Sequence, residues 1–126
     1  MVRKIHLLIA DDDPATRQLM GGFFTEKGYF VFLAKNGKEA LRLLGQEQID
    51  LVITDYQMPE MDGIELVRRI NEFLPSLPVI LMTGRSFGEG MEHSFLEHLY
   101  GYFFKPVDLM LLEISITKAL GNVCWK

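Results

Sequence analysis

Apolar residues fall along this chain in two alternating rhythms. Short runs, Ile5 to Ala10, Tyr29 to Ala34, Ile49 to Thr54, Val79 to Met82 and Gly101 to Phe104, are rich in branched and aromatic side chains and end in turn-forming or polar residues, which predicts strands. Between them the apolar positions recur at helical spacing. Thr16, Leu19, Met20, Phe23 and Phe24 give a buried stripe to a helix from Pro14 to Lys27. Gly21 and Gly22 weaken that helix by roughly 1 kcal/mol each relative to alanine, and Gly28 ends it. Ala40, Leu41, Leu43 and Leu44 mark a second helix; Ile64, Val67, Ile70 and Leu74 mark the inner face of a third. Met91, Phe95 and Leu99 mark a weaker fourth, and a final helix runs from about Asp108 to Leu120.

Polar residues punctuate these elements. Asp13 before Pro14 is a helix start, since the carboxylate accepts orphan backbone N–H groups and proline loses nothing at the first helical position. Asn36 with Glu39, and Asp62 with Glu65, have capping-box spacing. Nearly all-apolar strands are covered on both faces, and five of them alternating with helices predict an α/β parallel sheet, doubly wound by right-handed crossovers. Ligands bind such sheets beyond the carboxyl ends of the strands, where strand order reverses. Those ends carry Asp11, Asp12, Asp55, Thr83 and Lys105. Asp55 closes the apolar run Leu51 to Thr54 and is followed by Met58-Pro59 and Asp62-Gly63, which turn the chain.

Three clustered carboxylates repel one another unless a cation sits among them. The donors are all oxygens, so the ion predicted is hard and octahedral: magnesium, or manganese in its place. A carboxylate beside such an ion can attack phosphorus to form an acyl phosphate, with the metal, a lysine and a hydroxyl stabilising the transferred oxygens. The constellation therefore reads as a site for phosphoryl transfer onto Asp55.

Composition narrows the setting. With 126 residues and 48% hydrophobic content the chain makes one domain with one core. A net charge of -4 and no basic patch argue against a nucleic-acid surface. The single cysteine, Cys124, cannot form an internal disulfide, and neither a bilayer-length apolar run nor a leader is present, so the expectation is a cytoplasmic protein with no membrane contact of its own.

The same residues resemble the receiver domains of two-component response regulators. The likeness covers essentially the whole chain: Asp11-Asp12, Asp55, the turn Met58-Pro59-x-Met61-Asp62-Gly63, Thr83-Gly84, Tyr102 and Lys105-Pro106 occur in the family's order. The resemblance implies a flavodoxin-like sheet of order 2-1-3-4-5 flanked by five helices. It implies that Asp55 accepts a phosphoryl group from a sensor histidine kinase or phosphotransfer protein. Asp12, Asp55 and the backbone carbonyl of Gln57 would hold Mg2+, with Asp11 reaching it through water. Lys105 would pair with Asp55 and then with the phosphoryl oxygens, Thr83 would bind the phosphoryl group, and Tyr102 would follow by changing rotamer. Lys105-Pro106 would be a cis peptide. The signal would emerge on the last two helices and last strand and pass to a downstream protein or to an output domain outside this chain, residues 1–126 being the receiver alone.

The chain also departs from the family. Glu97, His98 and Leu99 stand where small residues often flank a glycine, which alters the turn into the last strand, and Gln57 and Arg85 border the phosphoryl site and tune its lifetime. His93 and His98 are five apart, wrong for two ligands on one helical face. Gly84 to Gly90 lacks the lysine of a nucleotide loop, and Trp125 packs on the last helix or begins a linker. Two other readings compete with the switch. One is a magnesium-dependent phosphatase, in which Asp11 and Asp13, two residues apart, would serve as nucleophile and acid; the other is a receiver-fold scaffold that is never phosphorylated.

Overall fold

The computed structural model describes residues 3–84 and 93–121. Strands and helices alternate as β1 (His6–Ala10), α1 (Pro14–Glu26), β2 (Phe30–Ala34), α2 (Gly37–Gln46), β3 (Leu51–Asp55), α3 (Gly63–Phe73), β4 (Val79–Thr83), α4 (His93–Leu96), β5 (Gly101–Phe104) and α5 (Leu109–Leu120). The sheet has the order β2-β1-β3-β4-β5 and every pairing is parallel. The chain leaves β1 toward one edge and returns to β3 toward the other, so strand order reverses between β1 and β3.

Two cores sandwich the sheet. Met20 and Phe24 of α1 and Leu112 and Ile116 of α5 pack with Leu7, Ile9, Leu51, Ile53, Ile80 and Met82 on one face. On the other, Ala40, Leu66, Val67, Ile70 and Phe95 pack with Leu8, Ala10, Val52, Val79 and Leu81. Coverage of both faces holds for β3 and β4 throughout and for β1 beyond His6. It fails for β2 and β5, which are sheet edges: Phe30 and Leu33 on β2, and Tyr102 and Phe104 on β5, are exposed.

Helix faces also differ from the pattern in places. Leu19 is 65% exposed. The buried residues of α1 are Met20, Gly21 and Phe24, and a Cβ at Gly21 would stand 3.3 Å from Leu33 Cδ1. Close approach at Gly21 turns Leu19, on the flank of that face, outward. On α3 the fully buried Leu66 replaces Leu74, which caps the helix and is exposed. The described part of α4 is a single turn. His98 N–H bonds Phe95 O and Leu99 N–H bonds Leu96 O, so the altered Glu97-His98-Leu99 segment closes the helix before Tyr100 N–H joins Val79 O. Arg85, the stretch from Arg85 to Gly90, Met91, Cys124, Trp125 and the side chain of His93 lie outside the described residues.

Caps fall where Asp13, Asn36 and Asp62 predict, and Asp108 caps the last helix as well. Asp13, Asn36, Asp62 and Asp108 each accept a backbone N–H at a helix start. The reciprocal arm of the boxes differs: Glu39 takes the N–H of Lys35, not of Asn36, and Glu65 pairs with Arg69 at 2.9 Å. Gly28, at φ 99, ends α1 in a conformation that glycine adopts without strain. Among the described residues no helix is long and apolar enough to cross a membrane.

Asp50 fastens the start of β1 to the start of β3. It accepts from His6 N–H at 2.8 Å and takes a two-pronged bond from Arg3. Burial alone would raise this carboxyl, but the bonds from Arg3 and His6 hold it below its ordinary value. A lowered folded pKa gives a contribution that is complete above the unfolded value, near 4, and lost as pH falls through the folded value. Asp50→Asn is predicted to cost about 0.5–1.5 kcal/mol at pH 7. Urea melts should show that gap closing as pH drops below about 4; a gap independent of pH would contradict the assignment.

Candidate functional site

The carboxyl ends of β1, β3 and β4, with the residue after β5, open into a cleft of about 390 Å³ lined by Asp12, Asp55, Tyr56, Gln57, Thr83, Gly84 and Lys105. Asp55 is the last residue of β3, where the sheet's hydrogen bonding runs out: Tyr56 N–H still reaches Met82 O, and Gly63 N–H returns to Tyr56 O. A Cβ at Gly63 would stand 2.3 Å from the Asp55 carbonyl oxygen, so only glycine lets α3 begin this close to the site. Lys105 is aligned by its own N–H, which bonds Thr83 O at 2.8 Å, and the Lys105–Pro106 peptide is cis.

Asp11, Asp12 and Asp55 bring one oxygen each within 4.8 Å of one another. Asp11 is fully buried, Asp55 nearly so, and Asp12 is exposed. The ammonium of Lys105 lies 3.1 Å from Asp11 Oδ2 and 3.1 Å from Asp55 Oδ2. Asp11 has a local duty as well. Its Oδ1 accepts Asp13 N–H, its own N–H bonds Ala34 O, and its carbonyl accepts from Arg17 Nη1 at 2.6 Å. Arg17 and Tyr56 are therefore site neighbours that the motif alone does not mark; an arginine about one turn into the helix after the acidic pair was the available signal.

Asp13 is committed elsewhere. Its oxygens accept Ala15 N–H and the Thr16 hydroxyl at the start of α1. Thr83 is buried in the cleft wall, whereas Tyr102 stands outside the cleft, 47% exposed, its ring edge-on to Phe104 at 5.9 Å. A larger hollow, about 530 Å³, lies at the opposite end of β3 and β4, where Asp50 is already bound to Arg3.

Burial raises the Asp55 carboxyl above its ordinary value and the Asp11 charge adds to the effect; Lys105 opposes both without cancelling them. Burial alone would lower Lys105, but its bonds to Asp55 and Asp11 raise it, so it stays an ammonium ion. One cation is shared between two carboxylates, which is why the lysine gains fully from the pairing while Asp55 does not. Oxygen donors at this spacing fit a hard divalent cation such as Mg2+.

A doubly wound parallel sheet with an acidic triad and a lysine at its carboxyl ends defines a receiver-type domain. The sequence matches the response regulator receiver domain over residues 7–117, and the chain belongs to that family. It is 39% identical over 115 residues to the transcriptional regulatory protein GlrR of Escherichia coli K12, covering 91% of this chain and 26% of GlrR. It is 40% identical over 123 residues to the transcriptional regulatory protein CrdR of Helicobacter pylori, covering 97% of this chain and 57% of CrdR. The chain thus spans well under two thirds of either relative. Among solved structures, the response regulator TrrA of Thermotoga maritima in complex with Mg2+ and BeF is similar with a TM-score of 0.83 and 29% identity, covering 92% of this chain and 99% of that one.

Burial of Asp55, with the Asp11 charge beside it, has a consequence for stability. A raised folded pKa means that stability falls as pH rises from the unfolded carboxylate value through the folded one. Metal-free Asp55→Asn is therefore predicted to melt about 3–5 °C above wild type at pH 7, of order 1 kcal/mol for a domain of this size. The difference should shrink toward pH 4. Thermal melts in a chelator test it, and a mutant that melts lower at pH 7 would refute it.

Proposed function

We propose that this domain is a phosphorylation-activated switch of a two-component system, with Asp55 the phosphoacceptor. The observation that carries the reading is the placement of Asp55 within 4.8 Å of Asp11 and Asp12 and 3.1 Å from the Lys105 ammonium, in an open cleft. Asp12, Asp55 and the Gln57 backbone carbonyl would hold Mg2+ directly, and Asp11 through water. Bound there, Mg2+ supplies positive charge that offsets the oxygens of the transferring group.

The chain's own residues do the rest. A carboxylate oxygen of Asp55 attacks the phosphorus of a phosphohistidine; the P–O bond forms as the P–N bond breaks, and the imidazole nitrogen leaves with the electron pair and takes a proton from solvent. Lys105, kept charged by its neighbours, meets the phosphoryl oxygens where it had met Asp55. The Thr83 hydroxyl turns to donate a hydrogen bond, and Tyr102 follows, which alters the face formed by α4, β5 and α5. The donor is a sensor histidine kinase or a phosphotransfer protein. The recipient is a downstream protein or an output domain; the transcriptional regulatory role in the names of GlrR and CrdR favours the latter. Direct nucleic-acid binding by this domain is not part of the reading.

The phosphatase alternative loses its acid, because Asp13 is spent on capping α1. Intact mass after incubation with Mg2+ and a small acyl-phosphate donor tests the switch. One phosphoryl adduct on wild type, absent from Asp55→Asn and from wild type in chelator, is expected. Steady turnover of a generic phosphate ester, without an adduct, would return the phosphatase reading. No adduct from either a small donor or a phosphohistidine protein would leave the scaffold reading.

A further inference from the structure

The loop between β3 and α3 is fastened at its tip as well as at its base. At the base Gly63 N–H bonds Tyr56 O. At the tip, the loop meets the start of α2. Gly37 N–H donates to Met61 O at 3.2 Å, and a Cβ on Gly37 would stand 2.6 Å from that oxygen. Beside it the Asn36 amide Nδ2 donates to Glu60 Oε2 at 2.8 Å. Glu60, at φ 68, is the one non-glycine residue with positive φ among the described residues. A left-handed glutamate is disfavoured and persists where surrounding contacts over-determine it.

Asn36 is chosen for both halves of this job. Its Oδ1 accepts Glu39 N–H as the cap of α2, and its Nδ2 holds Glu60. It is 94% buried, being 6% exposed, so neither bond is exchanged cheaply for water. Aspartate would keep the cap but place a second carboxylate against Glu60; serine or threonine would keep the cap and lose the donor. Between the two fastenings lies Gln57, whose side of the loop lines the cleft.

We infer that Asn36 and Glu60 are positioning residues: a hydrogen-bonded latch from the α2 cap to the loop that sets where the Gln57 carbonyl stands, and hence how tightly the acidic site holds Mg2+. The inference rests on the proposed reading of the site as a Mg2+-binding receiver. It makes a pattern of outcomes that a merely structural contact would not. Glu60→Gln keeps the bond, since Asn36 Nδ2 can donate to the new amide oxygen. Asn36→Asp breaks it by opposing two carboxylates. Asn36→Asp with Glu60→Gln restores it with the donor and acceptor exchanged, the glutamine amide donating to the aspartate while the cap is kept throughout.

Calorimetric titration with Mg2+ and amide exchange at Gly37 in the metal-free protein test the latch. Glu60→Gln should bind Mg2+ within about twofold of wild type. Asn36→Asp should weaken it roughly tenfold, the lower end for supports of a metal ligand, and speed Gly37 exchange; the double variant should recover both. Asn36→Asp within twofold of wild type, or a double variant as weak as Asn36→Asp, would overturn the latch. A wild type that binds no Mg2+ at all would sink the reading of the site and the latch with it. Mg2+ binding with an unaffected Asn36→Asp would sink the latch alone.

Discussion

The repulsion among Asp11, Asp12 and Asp55 is the constraint around which this domain is arranged. Two unit charges no more than 4.8 Å apart repel by at least roughly 3 kcal/mol at an effective dielectric near 20, and the Lys105 ammonium at 3.1 Å returns roughly 5 kcal/mol to each partner. Ionised, the cluster carries three negative charges and one positive, a sum of -2, which a divalent cation cancels. The proposed acyl phosphate, in place of the Asp55 carboxylate, would add about one further negative charge, by analogy with phosphorylated hydroxyls. Cation and lysine together would then be the condition for that product to persist. The site is built short of charge on purpose of its geometry: its resting electrostatics favour whatever brings positive charge in.

Such a cluster survives only because the backbone beneath it cannot relax. β1 and β3 end side by side at the point where strand order reverses, both embedded between two helical layers. Ala10 pairs with Thr54 in the sheet register, so the residues that follow, Asp11 and Asp55, emerge next to each other without a loop's freedom. Asp11 is held by four separate bonds, to Asp13, Ala34, Arg17 and Lys105. Moving it apart from Asp55 would cost more of these than the repulsion would return. Tertiary packing of β3, β4 and all of β1 beyond His6 therefore holds the carboxylates together against their repulsion.

The parts of this arrangement legible in the sequence are those set by local rules. Strand ends follow from apolar runs that stop at Asp11, Asp55, Thr83 and Lys105, and helix starts follow from Asp13, Asn36 and Asp62, because capping is a contact within three residues. Parallel order follows from alternation. What periodicity misjudges depends on how close two elements come: Leu19 faces out because Gly21 lets α1 settle onto Leu33, and Leu74 faces out because α3 ends there. Edge strands are misjudged for a similar reason, since an all-apolar run carries no mark of its place in the sheet. Contacts between distant loops, Asn36 with Glu60 and Arg17 with Asp11, are invisible until the topology brings them together.

Packing is unevenly shared between the two ends of the sheet order, and that inequality would give the proposed switch a direction. On the β1 and β3 side the site is backed by continuous packing and by the α2 cap, with Asn36 and Gly37 bound to Glu60 and Met61. On the β5 side Tyr102, Phe104, Met110, Leu111 and Ile114 are all exposed. A change in charge at Asp55 would therefore meet continuous packing on one side and an exposed apolar edge on the other. Thr83 sits between them, its carbonyl bound to Lys105 N–H and its position paired in the sheet with Phe104. Rearrangement at the proposed phosphoryl site would find a low-cost outlet through β4 and β5, because the exposed side chains of that edge can move without opening a packed core.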